Sequence, residues 1–178
     1  MASAGDDVKE EPPTSVTTLG DGGKRYEYAD GSWLETGPDG VSTRKQYTAS
    51  TQTLVELLPN GTRQTRGDTV LTALNNGFKT QVRGTLTISH MPGGIVVQEE
   101  TGGEKPYKAT RFPDGFELVE LPNGTSIDRA PDGSVRTTFP DGHVVTAYPD
   151  GSKQIEDADG GNVRHVPAPE RAEEWGRA

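Results

Sequence analysis

The chain has 178 residues, of which 30% are hydrophobic and 25% are charged, and its formal net charge is −9 at pH 7. This small apolar content excludes a two-sheet sandwich with a core of ordinary quality, and the negative charge disfavours nonspecific nucleic acid binding. The sequence contains no cysteine, which excludes a disulfide framework and thiolate metal ligands. No stretch has the ~20 apolar residues that a membrane helix needs, and we expect a soluble, cytoplasmic protein.

The first predicted segment, residues 1–16, is an acidic arm that contains proline. It carries Asp6, Asp7, Glu10 and Glu11 and has no apolar stretch of the kind found in signal peptides. Small and acidic segments of this kind at a chain end are usually poorly ordered. We therefore predict a flexible arm that ends where the turn repeats begin.

The predicted β-meander covers residues 17–166 and opens with turn signals nine residues apart, at Gly22, Gly31 and Gly40. Pro59-Asn60-Gly61 is a further turn of the same kind. Residues 62–111 are less regular, although three more glycine-containing segments indicate turns, namely Asn75–Gly77, Pro92–Gly94 and Thr101–Gly103. The sequence leaves open whether this stretch extends the sheet or folds back across its apolar face.

From residue 112 to residue 160 one turn phrase recurs every nine residues. Proline presets φ for the first corner of a type I turn, Asp or Asn suits the second, and Gly supplies the left-handed residue that follows. The phrase predicts a three-residue hairpin loop with a G1 bulge, and the six residues between loops span about 20 Å of extended chain. It occurs at Phe112–Gly115, Leu121–Gly124, Ala130–Gly133, Phe139–Gly142 and Tyr148–Gly151, with a shorter form at Ala158–Gly160.

We therefore predict an all-β fold, an elongated and largely single-layer antiparallel β-meander of about a dozen strands. Facing residues of neighbouring strands lie on the same side of a sheet, and this rule gives one apolar row: Val119, Ile127, Thr137, Val145, Ile155 and Val163. The row on the opposite face is polar almost throughout: Leu118, Asp128, Arg136, Thr146, Gln154 and Arg164. The odd repeat period sends Phe139 to the apolar side and Tyr148 to the polar side. Such a sheet is marginal alone, so we expect a partner or a second copy.

The last predicted segment, residues 167–178, is a polar tail in which Pro169 is a candidate start for a short helix. Trp175 is its one large apolar residue. A tryptophan in this setting more often caps local packing than anchors a partner. We favour the packing role and keep the anchor as the alternative.

Candidate catalytic and metal-binding chemistry is sparse in this sequence. The Asp-Gly pairs resemble calcium loops, but the EF-hand series and its closing Glu are absent, and turn formation accounts for these aspartates. His90, His143 and His165 have no spacing that suggests a metal site or a catalytic triad. The glycosylation sequons at Asn60 and Asn123 fall inside turn phrases. We expect no enzymatic activity, no metal and no cofactor.

These repeats resemble a known family. Strands separated by Pro-Asp/Asn-Gly turns, with an aromatic residue before the proline as in Phe112, Phe139 and Tyr148, are similar to the G-box, the C-terminal domain shared by T-complex protein ten and the centriolar scaffold CPAP. The resemblance covers residues 112–166 well and residues 18–62 moderately. It implies a free-standing sheet, solvated on both faces, that binds a proline-rich extended segment of the centriole-duplication protein STIL and can associate end to end. It also implies contact roles for Phe139, Val145, Tyr148 and Ile155.

The leading hypothesis is a non-catalytic scaffold protein of a microtubule-based assembly, namely a cilium or flagellum axoneme, a basal body or a centriole. No coiled coil or tubulin-binding region precedes the sheet in this sequence, which favours a small structural component of an axoneme. Its partner would be an extended proline-rich segment or a neighbouring subunit, with end-to-end self-association as a further option. The expected partner-binding residues are Val119, Ile127, Phe139, Val145, Tyr148, Ile155 and Val163.

Two other functional classes also use related repeats. One is a fragment of a YD-repeat shell from a bacterial toxin or surface protein, whose repeats are longer and less strict than the nine-residue period seen here. The other is a carbohydrate- or ion-binding array, which would repeat aromatic or carboxylate side chains on one face. The predicted placement of Phe139 and Tyr148 on opposite faces disfavours the array.

Overall fold

The computed structural model describes residues 11–169 of the chain. These residues form seventeen β-strands and no helix, and the chain divides into two compact units between Gly84 and Thr85. Most of the predicted acidic arm and the proposed helix with Trp175 lie outside the described residues. No helix in residues 11–169 is long and apolar enough to cross a membrane.

The first unit is an antiparallel meander of eight strands, each paired with the next along the chain. The strands are β1 (Ser15–Thr18), β2 (Lys24–Glu27), β3 (Trp33–Thr36), β4 (Thr43–Thr48), β5 (Thr53–Leu58), β6 (Gly61–Arg66), β7 (Thr69–Leu74) and β8 (Lys79–Arg83). β1 begins inside the segment predicted as an arm. The pairing of β6, β7 and β8 extends the sheet of this unit into the irregular stretch.

The second unit is an antiparallel meander of nine strands with the same sequential pairing. The strands are β9 (Leu86–His90), β10 (Val96–Glu100), β11 (Tyr107–Arg111), β12 (Glu117–Glu120), β13 (Ser126–Arg129), β14 (Val135–Thr138), β15 (Val144–Ala147), β16 (Lys153–Glu156) and β17 (Val163–Val166). The predicted single-layer antiparallel meander is confirmed. It has more strands than the predicted dozen because the middle of the chain uses short turns, such as Gly67-Asp68, that lack the repeated phrase.

The repeated phrase forms the predicted three-residue loop with a G1 bulge. In the turn between β14 and β15, Phe139 N donates to His143 O at 3.0 Å and Gly142 N donates to Phe139 O at 2.9 Å, and Gly142 has φ of +89°. The Asp141 carboxylate accepts a hydrogen bond from His143 N at 3.2 Å. The same side-chain bond recurs at Asp114, Asn123, Asp132 and Asp150. This bond explains why only Asp or Asn occupies the second corner.

One predicted turn has a different form. The pentapeptide Leu-Pro-Asn-Gly-Thr occurs twice, at residues 58–62 and 121–125, and only the second copy makes the three-residue loop. In the first copy Leu58 pairs directly with Gly61, so the prediction of a three-residue loop there was wrong. Gly61 also pairs with Leu74 of β7, and a Cβ on Gly61 would lie 2.1 Å from Ala73 O. Packing against the next strand therefore selects the turn.

The predicted position of Val163 in the apolar row was also wrong. Asp157 N donates to Asn162 O at 3.1 Å, which closes a four-residue loop because Gly161 adds one residue to the predicted Ala158–Gly160 turn. Ile155 consequently pairs with Arg164, and Val163 pairs with Glu156 on the opposite face. His165, which pairs with Gln154, takes the place predicted for Arg164 in the polar row. A shift by one residue exchanges the two faces of a strand.

Little of either sheet is fully buried. Among the described residues Val144 is the one buried hydrophobic residue, with 7% exposure. Turns that follow one another along the same sheet edge touch: a Cβ on Gly133 would lie 3.3 Å from Pro149 Cγ, and one on Gly142 would lie 3.2 Å from Ala158 Cβ. The repeated glycine therefore has two roles: it allows close contact between turns, and it adopts the left-handed backbone conformation of the loop.

Candidate partner-binding surface

The central feature of the second unit is a row of side chains that crosses β12 to β16 on one face. Val119 pairs with Ile127, Ile127 with Thr137, Thr137 with Val145, and Val145 with Ile155. These five residues, called the apolar row below, are all half-buried. Because facing residues share one side of the sheet, the row presents a partly solvated strip that is apolar except at Thr137.

An aromatic pair borders the apolar row on one side. Phe139 lies two residues from Thr137 and His143 two residues from Val145, so both face the same way as the row. Their rings stack with centroids 4.1 Å apart and planes at 11°. His143 Nδ1 lies 2.6 Å from Asp141 Oδ1. The hydrogen bond from His143 N, followed by the contact with the imidazole, lowers the pKa of Asp141.

Charged side chains border the row on its other side. Glu117 lies two residues from Val119, on the same face, and pairs across the sheet with Arg111 and Arg129. Its carboxylate is 2.9 Å from Arg111 Nη2 and 3.0 Å from Arg129 Nη1. Both arginines are exposed, so these ion pairs add little to stability. An apolar strip between an aromatic pair and a charged border has the composition of a protein contact surface.

The opposite face of the same sheet is polar and carries the other two predicted contact residues. Tyr148 lies there, as the odd repeat period predicts, and its hydroxyl donates to Gln154 Oε1 at 3.2 Å. A shallow depression on this face is lined by Tyr148, Pro149, Asp150, Ser152, Gln154 and His165. The Ser152 hydroxyl, 2.6 Å from Asp150 Oδ1, and then the Ser152 amide lower the pKa of Asp150. Val163 is 60% exposed.

The structure thus brings five of the seven predicted contact residues to one face. These are Val119, Ile127, Phe139, Val145 and Ile155, whereas Tyr148 and Val163 lie on the other face. One extended partner lying on a single face can contact the first five together. Tyr148 and Val163 would need a second contact on the polar side.

Sequence reasoning missed an aromatic cluster in the first unit. Trp33 pairs with Tyr47 across β3 and β4, with ring centroids 6.0 Å apart, and the Arg25 guanidinium carbon lies 4.3 Å from the Trp33 ring centroid. A row of alternating charge runs beside it: Arg25, Glu35, Lys45, Glu56 and Arg63. The register shift between Glu35 and Thr36 breaks the loop rule that would have revealed both rows.

The described residues offer no ready site for a metal ion. Within residues 11–169 no group of three His, Cys, Asp or Glu side chains could hold one. The turn aspartates instead accept hydrogen bonds from the backbone two residues further on, as Asp132 does from Ser134 N at 2.8 Å. Their carboxylates therefore stabilise the turns.

Comparison with known proteins identifies the fold. Residues 122–156, which contain β13 to β16, match the family model described as T-complex protein 10 C-terminus. No curated protein matches the sequence significantly. Among solved structures, the G-box domain of the microcephaly protein CPAP aligns with a TM-score of 0.62 and 21% identity, over 83% of this chain and 99% of that chain.

Two further solved structures have the same fold and contain bound peptides. The domain of Danio rerio CPAP, in complex with a peptide of STIL, aligns with a TM-score of 0.54 and 20% identity, over 86% of this chain and 99% of that chain. The domain of Drosophila melanogaster SAS-4, in complex with a proline-rich motif of Ana2, aligns with a TM-score of 0.57 and 20% identity, over 79% of this chain and 88% of that chain. The resemblance carried by the turn repeats is confirmed.

Proposed function

We propose that this chain, which has the fold of the G-box domains, is a non-catalytic scaffold protein that binds an extended, proline-rich peptide on its second unit. The observation that carries the proposal is the half-buried apolar row in a sheet of one layer. Solved domains of the same fold hold peptides of STIL and of Ana2. The row and its aromatic border are the surface on which we expect such a peptide to lie.

A peptide bound on this face would remove the apolar row from water. Burial of apolar surface contributes roughly 25 cal/mol per Å², and the side chains of Val119, Ile127, Val145 and Ile155 are all partly open to solvent. A proline-rich segment is already extended in solution, so it loses little conformational entropy on binding. Proline rings dock against flat aromatic surfaces, and the stacked Phe139 and His143 rings provide one.

The test is a titration of the full chain with a labelled proline-rich peptide of STIL. Val145→Asp should weaken binding by about tenfold or more, or ~1.4 kcal/mol, because it places an unpaired charge in the contact. Thr146→Asp is the matched control: it adds the same charge on the same strand, but on the opposite face. It should change the affinity by less than about twofold. Equal losses in the two variants would refute the assignment of the binding face.

We further propose that the protein acts in a microtubule-based assembly. The G-box domain of CPAP has a suggested role in centriole elongation, which favours the centriole over a basal body or an axoneme as the first place to look. Proximity labelling with the tagged full chain should identify centriolar neighbours, together with fluorescence at the same structures. A diffuse signal without cytoskeletal neighbours would contradict the assignment while leaving the peptide-binding result unaffected.

A further inference from the structure

The two copies of Leu-Pro-Asn-Gly-Thr place the same chemistry in two different turns. Asn-Gly is a reactive dipeptide, because glycine has no side chain to hinder the approach of its amide nitrogen to the asparagine side chain. We propose that Asn60, in the first copy, is a site of spontaneous deamidation, and that Asn123, in the second copy, is protected by its turn. Deamidation at Asn60 does not depend on the proposed peptide binding by the second unit.

The reaction is a substitution followed by a hydrolysis. The Gly61 amide nitrogen attacks Asn60 Cγ, the new N–Cγ bond closes a succinimide ring, and the Cγ–Nδ2 bond breaks. Nδ2 leaves as ammonia, with the proton of the Gly61 amide. Water then opens the ring, at Cγ to give aspartate or at the main-chain carbonyl to give isoaspartate. One water is consumed, one ammonia is released, and nothing is oxidised or reduced.

At Asn123 both reacting groups are held by hydrogen bonds. The side-chain Oδ1 accepts from Thr125 N at 3.0 Å, and the attacking nitrogen, Gly124 N, donates to Leu121 O at 3.0 Å. Asn76-Gly77, the third Asn-Gly pair, has the same two bonds: Asn76 Oδ1 accepts from Phe78 N at 3.0 Å and Gly77 N donates to Leu74 O at 3.0 Å. Attack at either site requires both bonds to open.

At Asn60 only the main chain is held. Leu58 pairs with Gly61, and Asn60 O accepts from Asn75 N at 2.7 Å. The Asn60 side chain is exposed and makes no hydrogen bond within residues 11–169. Its Cγ can therefore turn toward Gly61 N without first losing the side-chain bond that restrains Asn76 and Asn123.

The products would have different effects on the first unit. Aspartate at position 60 adds a negative charge and keeps the main chain intact. Isoaspartate routes the main chain through the former side chain, which lengthens it by one carbon and displaces the carbonyl that accepts from Asn75 N. That bond joins the turn between β5 and β6 to the turn between β7 and β8. Accumulated isoaspartate should therefore loosen this sheet edge.

The test follows the two pentapeptides in one sample. The full chain is incubated near neutral pH at body temperature, digested at intervals, and analysed by mass spectrometry for the replacement of NH2 by OH. Losing one side-chain hydrogen bond costs ~1 kcal/mol, so Asn60 should convert about fivefold faster than Asn123. The chain unfolded in urea is the control, because there the two copies should convert at similar rates. Asn60→Gln should abolish the signal in the peptide that contains residue 60.

Either of two results would overturn the proposal. Equal rates in the folded chain, or faster conversion at Asn123, would show that the side-chain bond does not protect. A rate difference of the same size in urea would assign the effect to the surrounding sequence instead of the fold. Neither result depends on peptide binding, so the test cannot be confused with a failure of the proposed function.

Discussion

The position of Gly142 has two requirements that only glycine satisfies, a left-handed backbone and close contact with a neighbouring turn. Its φ of +89° lies in the left-handed region, which is costly for a residue with a Cβ, and a Cβ at this position would lie 3.2 Å from Ala158 Cβ in the neighbouring turn. We expect Gly142→Val to destabilise the protein by ~1 kcal/mol or more, because a β-branched residue strains the turn and crowds that contact. Thermal unfolding measures the change.

Gly20 offers a matched control in a turn of the first unit. It is not among the glycines with positive φ, and nothing lies within 4 Å of a Cβ built on it. Gly20→Val should therefore change the melting temperature much less than Gly142→Val. Equal melting of the Gly142 variant and the unmodified chain would refute the strained-turn account.

At the level of strands and turns, the sequence predicts the strand pairing correctly wherever the repeated phrase forms a three-residue loop. It predicts the pairing of Val119 with Ile127 and of Val145 with Ile155, and both are observed. It fails at Val163, where Gly161 lengthens the loop, and at Gly61, where contact with β7 replaces a three-residue loop by a two-residue one. Each failure is a change of one residue in loop length, which local turn chemistry does not determine.

The sequence did not predict the aromatic cluster of the first unit, for a related reason. The link between β3 and β4 contains Pro38-Asp39-Gly40, but one extra residue, Val41, and a register shift follow it. The residues that face Trp33 and Glu35 cannot be counted from the turn phrase. Pairing of Trp33 with Tyr47 becomes visible only once the strands are in register. The candidate surface of the second unit was predictable because the turns from β11 to β16 are uniform.

Across the whole molecule, the turn carboxylates couple folding to pH. Hydrogen bonds lower the pKa of Asp132 and Asp150 in the folded chain, first from the hydroxyls of Ser134 and Ser152 and then from their amides. Hydrogen bonds likewise lower the pKa of Asp21, Asp30, Asp39 and Asp141. An Asp whose pKa is lower in the folded state than in the unfolded state stabilises the fold while it is ionised.

The sign of the pH dependence follows from these lowered pKa values. The stabilisation is fully present above the unfolded value of about 3.9 and is lost as the pH falls through the lower folded values. We expect the urea midpoint to drop between pH 7 and pH ~3. The double variant Asp132→Asn and Asp150→Asn should show a smaller drop, because an amide does not titrate yet accepts the same turn bond, as Asn123 does from Thr125 N. If the urea midpoint of this variant falls as much as that of the unmodified chain, the acid sensitivity comes from groups other than these two carboxylates. General charge repulsion in the acidified chain acts on both proteins alike.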